Sequence, residues 1–124
     1  MKLEVEAHIK RSGRSLKSAV FLLEKSMYED AASRAYYSVF HAAKAVLASV
    51  EEHPKTHEGV VRMFGKKFVK TGVFPAEMGK MLVLAKGLRE KADYEPTIIV
   101  QKEHVEDIIG KATNFLKVIK EYLR

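Results

Sequence analysis

The sequence predicts an all-α protein. It reads as an antiparallel four- to five-helix up-and-down bundle, one domain over residues 1–124. Three observations predict this. Apolar residues recur at spacings of three and four along most of the chain, the signature of helices with one buried face. Helix-breaking residues fall in short intervals near Ser26, Pro54, Gly72 and Pro96. The single β-branched run, Ile98-Ile99-Val100, has no second run with which to pair. Amphipathic helices joined by short connections must lie antiparallel.

The first helix is expected from about Leu3 to Lys25, with Ile9, Leu16, Val20 and Leu23 as its core stripe and Ala19 and Leu22 beside them. Gly13 weakens its middle by about 1 kcal/mol relative to alanine. Its basic patch, Lys10, Arg11, Arg14 and Lys17, reads as a solvated face. Ser26-Met27-Tyr28-Glu29 fits a capping box, in which the serine hydroxyl and the glutamate satisfy each other's orphan amides.

The second helix, Asp30 to Val50, has the cleanest pattern. Ala32, Ala35, Tyr36, Val39, Phe40, Ala43, Val46, Leu47 and Val50 mark one broad apolar face. The other face holds Arg34, Tyr37, Ser38, His41 and Lys44. Seven residues advance a helix by nearly two turns, so Arg34 and His41 share a face about 10 Å apart along the axis. Tyr37 bridges them.

Pro54 closes that segment, because the residue before a proline avoids the α region. Thr56 is the expected N-cap of a third helix with Val60, Val61, Phe64 and Phe68 inward. Arg62, Lys66 and Lys70 form a positive stripe on another side, suited to tracking a phosphate backbone. Gly72 supplies the left-handed stop and Pro75 the first position of helix four. That helix runs to about Ala92 on Met78, Met81, Leu82, Ala85 and Leu88, and Gly79 and Gly87 make it the expected place of a kink. Ile98–Val100 reads as an extended link. Helix five, about Gln101 to Leu123, buries Val105, Ile108, Ile109, Ala112, Phe115, Leu116, Ile119 and Leu123.

Composition narrows the function classes. An apolar fraction of 47% beside 31% charged residues is the balance of a soluble globular protein, not of a disordered one. No cysteine is present, which removes disulfides, cysteine-based zinc sites and thiol nucleophiles. No apolar run is long enough to span a membrane, and the start MKLEVEAHIKRSG lacks the apolar core of a secretory signal. The expected compartment is the cytoplasm. The net charge of +6 favours anionic partners, nucleic acid first. His53 and His57 are four apart, but Pro54 between them breaks the helical turn a zinc pair would need, and neither a metal nor a cofactor is expected.

Ser33-Arg34-Ala35-Tyr36-Tyr37-Ser38-Val39-Phe40-His41-Ala42-Ala43 resembles the signature helix of the HEPN domains. The similarity continues at His57-Glu58-Gly59-Val60, Phe68-Val69-Lys70-Thr71-Gly72, Leu88-Arg89 and Ala92-Asp93-Tyr94, closest to the prokaryotic branch with the RAYYxxFH helix. This resemblance implies a small helical bundle that binds RNA or a nucleotide. It implies either a metal-independent ribonuclease, a toxin of a toxin–antitoxin pair, or a non-catalytic module that docks a separate minimal nucleotidyltransferase. It also implies a homodimer with the polar faces of helix two approaching across the axis. A purely structural helical dimer is the remaining reading. By resemblance Arg34 clamps the scissile phosphate and His41 transfers a proton, roles that suit a fixed cation and a group titrating near neutrality. Tyr37, Ser38, Lys44, Arg62, Lys66 and Lys70 are the expected substrate contacts, and Asp93 the expected carboxylate orienting Arg34. The chain departs from the family's toxins at Ala35, where asparagine follows the arginine, and at Ala43, where a modifiable tyrosine stands.

Overall fold

The second helix is the axis around which the rest is packed. A computed structural model describes residues 2–124 and contains α1 (Leu3–Glu24), α2 (Tyr28–Ala48), α3 (His57–Phe64), α4 (Ala76–Tyr94) and α5 (Lys102–Leu123). No strand occurs among the described residues, so the expected all-α bundle is the fold observed. Twelve of the 21 residues of α2 are buried, because α1, α3, α4 and α5 all touch it. That demand for burial on nearly every side explains its many alanines.

α1 and α2 run antiparallel. Val5 packs with Ala45 and Ala48, while further along Ser12 meets Ser38. The seam is narrow because small residues line it. Ser12 Oγ donates to the Ser38 carbonyl at 2.6 Å and lies 3.3 Å from Ser38 Oγ. The sealed positions of α1 are therefore Val5, Ser12, Ser15 and Ala19. Ile9, Leu16 and Leu23 flank the seam half-buried and Val20 is exposed, which corrects the expected core stripe.

The ends of the helices follow local chemistry. Ser26 is not an N-cap: its φ is +60°, and Met27 N–H donates to the Leu22 carbonyl at 2.9 Å, closing α1 in a Schellman turn. Glu51 does the same at the end of α2, with φ +62° and a bond from Glu52 N–H to the Leu47 carbonyl at 2.9 Å. Thr56 caps α3 as expected, its hydroxyl accepting from Gly59 N–H at 2.9 Å. Pro75 precedes α4 as its cap residue, one position before the place assigned to it.

The distortion expected in α4 lies instead after α3. Gly65–Val69 forms a π turn, with Lys70 N–H donating to the Gly65 carbonyl at 2.8 Å. α4 runs unbroken. A Cβ at its Gly79 would stand 3.3 Å from Val69 Cγ2, a tight contact that the methyl group would have to ease by a few tenths of an ångström. Phe64, Phe68, Phe74 and Phe115 fill the core beside this turn, and Tyr122 closes it edge-on. On α4, Leu88 is only half-buried, and Arg89 takes the inward position one residue later.

Candidate functional site

Antiparallel pairing brings one face of α1 against one face of α2. Arg11, Arg14, Ser15 and Ser18 recur at helical spacing on the first, and Arg34, Tyr37 and His41 on the second. Together they line a cleft of about 420 Å³. Three arginines line it, and no carboxylate does. Arg11, Arg14 and Arg34 take part in none of the salt bridges among the described residues. Uncompensated arginines in a concave polar setting favour an anion, with phosphate the best geometric match to their donors.

Arg34 and His41 thus reach the same cleft, with Tyr37 between them. The Arg34 guanidinium lies over the Tyr37 ring, 4.8 Å from its centroid, which fixes its approach. His41 makes its polar contact with a residue absent from the sequence reading: His8 of α1, with Nδ1 to Nδ1 3.0 Å apart and the rings stacked at 25°. Burial first, then the charges of His8, Arg11, Lys44 and Arg34, push the His41 pKa down to about 4. The ring is therefore neutral at neutral pH, and the same burial and charges make it a weaker proton acceptor than an ordinary imidazole.

A second cluster lies behind the cleft. The Tyr36 hydroxyl is 2.5 Å from His57 Nδ1, and His57 stacks on Phe40 at 4.4 Å between centroids. Burial raises the Tyr36 pKa to about 12 although Arg89 pulls it down, so the phenol stays protonated and donates. Burial, Arg89 and Lys86 lower the pKa of His57. Arg89 is 8% exposed, lies over the rings of Tyr36 and Tyr37 at 5.1 and 5.7 Å, and donates to Asp93 at 3.3 Å.

A match to the family model for the HEPN domain covers residues 5–122 of the chain. The chain belongs to the HEPN domain family. It is similar to two proteins of Methanocaldococcus jannaschii. "Putative toxin MJ0142" is 38% identical over 98% of this chain and 83% of the relative, and "Putative toxin MJ0605" is 40% identical over 98% and 90%. A UPF0332 protein of Thermotoga maritima is 31% identical over 96% of this chain and 90% of the relative.

The HEPN fold places the remaining residues singled out in the sequence as follows. Ser38 is fully buried in the α1–α2 seam, bonded to Ser12, and does not line the cleft. Lys44 lies over the Phe40 ring at 5.7 Å, outside the cleft lining but close enough to bias both His8 and His41. Arg62, Lys66 and Lys70 are exposed on α3 and its π turn, and none lines the cleft. Asp93 pairs with Arg89 rather than with Arg34, because both lie on one face of α4 four residues apart. No helix among the described residues is long and apolar enough to cross a membrane.

Sequence reasoning missed His8, Arg11 and Arg14 as candidate site residues and Arg89 as a core residue. Their signals were present. His8, Arg11, Ser15 and Ser18 keep helical spacing, and Arg89 follows Leu82 and Ala85 by seven and four.

Proposed function

We propose that this HEPN protein is a toxin-type, metal-independent ribonuclease whose active cleft lies between α1 and α2. The observation that carries the reading is a cleft lined by three arginines and a neutral histidine, with no carboxylate. The arginines would hold the phosphate and the negative charge that grows on its oxygens during attack. His41 would take the proton of a 2′-hydroxyl as that oxygen attacks the adjacent phosphorus. A bound phosphate would also raise the His41 pKa toward neutrality, because it cancels the positive field that depresses it. Tyr37 would offer a phenol to the ribose or phosphate. Two relatives carry toxin in their names, and cleavage of cellular RNA is one chemistry that makes a small protein toxic.

The test is cleavage of a single-stranded RNA in EDTA, with the product ends identified. The expected products carry a 2′,3′-cyclic phosphate and a 5′-hydroxyl. His41→Ala should lower the rate by at least about 100-fold. Arg34→Ala should weaken RNA binding as well as slow cleavage. Equal cleavage by His41→Ala and the unaltered protein would remove the reading, as would no cleavage and no binding by either.

A further inference from the structure

Two imidazoles from different helices, His8 and His41, face one another through their Nδ1 atoms at 3.0 Å. A hydrogen bond between two neutral imidazoles needs one Nδ1 that carries a proton and one that is bare. The rings must therefore hold opposite tautomers, and a single proton lies between them. We propose that His8 is the positioning residue of the cleft: it accepts the Nδ1 proton of His41, so that His41 presents a bare Nε2 to the substrate. This rests on the reading of the cleft as an RNA-cleaving site.

The surroundings explain why a second imidazole is useful. A base that takes up a proton becomes an imidazolium, and Arg34, Lys44 and Arg11 all oppose that charge on His41. Burial first, then Lys44, Arg11 and His53, lower the pKa of His8 as well, but Glu4, which pairs with His53 at 3.0 Å, pulls it the other way, and Arg34 is not among the charges that oppose a proton there. Passing the proton on moves the charge away from Arg34 and the phosphate clamp and toward a carboxylate. The step balances. The 2′-oxygen bonds to phosphorus as the bond to the 5′-oxygen breaks, and the 2′-hydroxyl proton goes to His41 Nε2. The Nδ1 proton of His41 crosses to His8, which becomes the cation. The leaving 5′-oxygen then takes the Nε2 proton, His8 returns its extra proton to His41, and both rings end neutral.

The experiment is long-range ¹H–¹⁵N spectroscopy of the histidine rings in the labelled full chain, without RNA, at pH 7. The expected result is His41 protonated at Nδ1 and His8 at Nε2. His8→Phe keeps a ring to stack but offers no acceptor. It should return His41 to the Nε2–H tautomer that imidazoles ordinarily prefer, and lower kcat about tenfold with KM unchanged. His41 protonated at Nε2 in the unaltered protein would overturn the proposal, and that measurement decides even where His8→Phe fails to fold. An unaltered kcat in a folded His8→Phe protein would overturn it too. Cleavage with the wrong tautomer sinks the relay alone. The expected tautomers without any cleavage sink the RNA reading and leave the proton-sharing pair standing.

Discussion

His41 and His57 lie against the same two rings, Tyr37 and Phe40, and burial lowers the pKa of both, yet their surroundings differ in kind. A phenol fills the Nδ1 of His57, Phe40 covers its face, and the nearby Arg89 has a carboxylate in Asp93, although its buried Nε has no hydrogen-bond partner. His41 has only another imidazole, and the arginines around it have no carboxylate. The kind of partner and the pairing of the nearby arginines, not residue type or burial, separate the two. Groups whose charges and hydrogen bonds close on one another hold a fold together. Groups left open around a hollow are available to a ligand.

The largest effect that would test this contrast is on stability. Arg89→Ala removes a buried stem that covers Tyr36 and Tyr37 and leaves Asp93 without its cation. Urea unfolding should show a loss of about 2 kcal/mol. Arg34→Ala, whose guanidinium borders an open cleft, should lose less than about 1 kcal/mol in the same measurement. Similar losses for the two would erase the distinction between a closed and an open cluster.

A smaller effect concerns pH. Both His41 and His57 have folded pKa values below the unfolded 6.5, so the unfolded chain binds protons more readily. The stability these neutral rings contribute is complete above pH 6.5 and is lost as pH falls through that value toward about 4, where folded His41 titrates. Melting temperature should therefore decline on acidification across that window. His41→Asn should flatten the decline, because one of the rings that must stay neutral in the folded state is gone. A decline of unchanged steepness in His41→Asn would assign the acid sensitivity to other groups, the carboxylates among them.

The fold was largely legible because its information is local. Five apolar periodicities, the Thr56 cap and the Gly72 turn, whose φ is +82°, are each encoded within a few residues. Helix α2 also showed Arg34, Tyr37 and His41 on one face before any packing was known. What stayed hidden depends on pairing between helices. The partner of His41 is 33 residues away, and nothing near either residue encodes the register that joins them. Ser38 misled for the same reason. A serine on a polar face reads as exposed until a second helix with Ser12 lies over it at hydrogen-bond distance. Asp93 was assigned across helices when a local partner, Arg89, stood one turn away. The π turn escaped because helical periodicity cannot show one inserted residue within so short a segment.

The smallest expected effect concerns the stripe on the far side of that turn. Arg62, Lys66 and Lys70 have the charge density of a phosphate track, but they are exposed on α3 and its extension, and none shares the cleft. Neighbouring Lys67 is already paired with Glu52 at 3.1 Å. If open charge around a hollow is what recruits RNA, Lys66→Ala and Lys70→Ala should leave the slope of log affinity against log salt unchanged. Arg34→Ala should reduce it by about 0.7, the value for one phosphate contact with a single strand. A loss near 0.7 for each lysine would instead extend the RNA path from the cleft onto α3. It would also show that a long strand is held by charge density as well as by the unpaired arginines, which makes the cleft one station on a longer path.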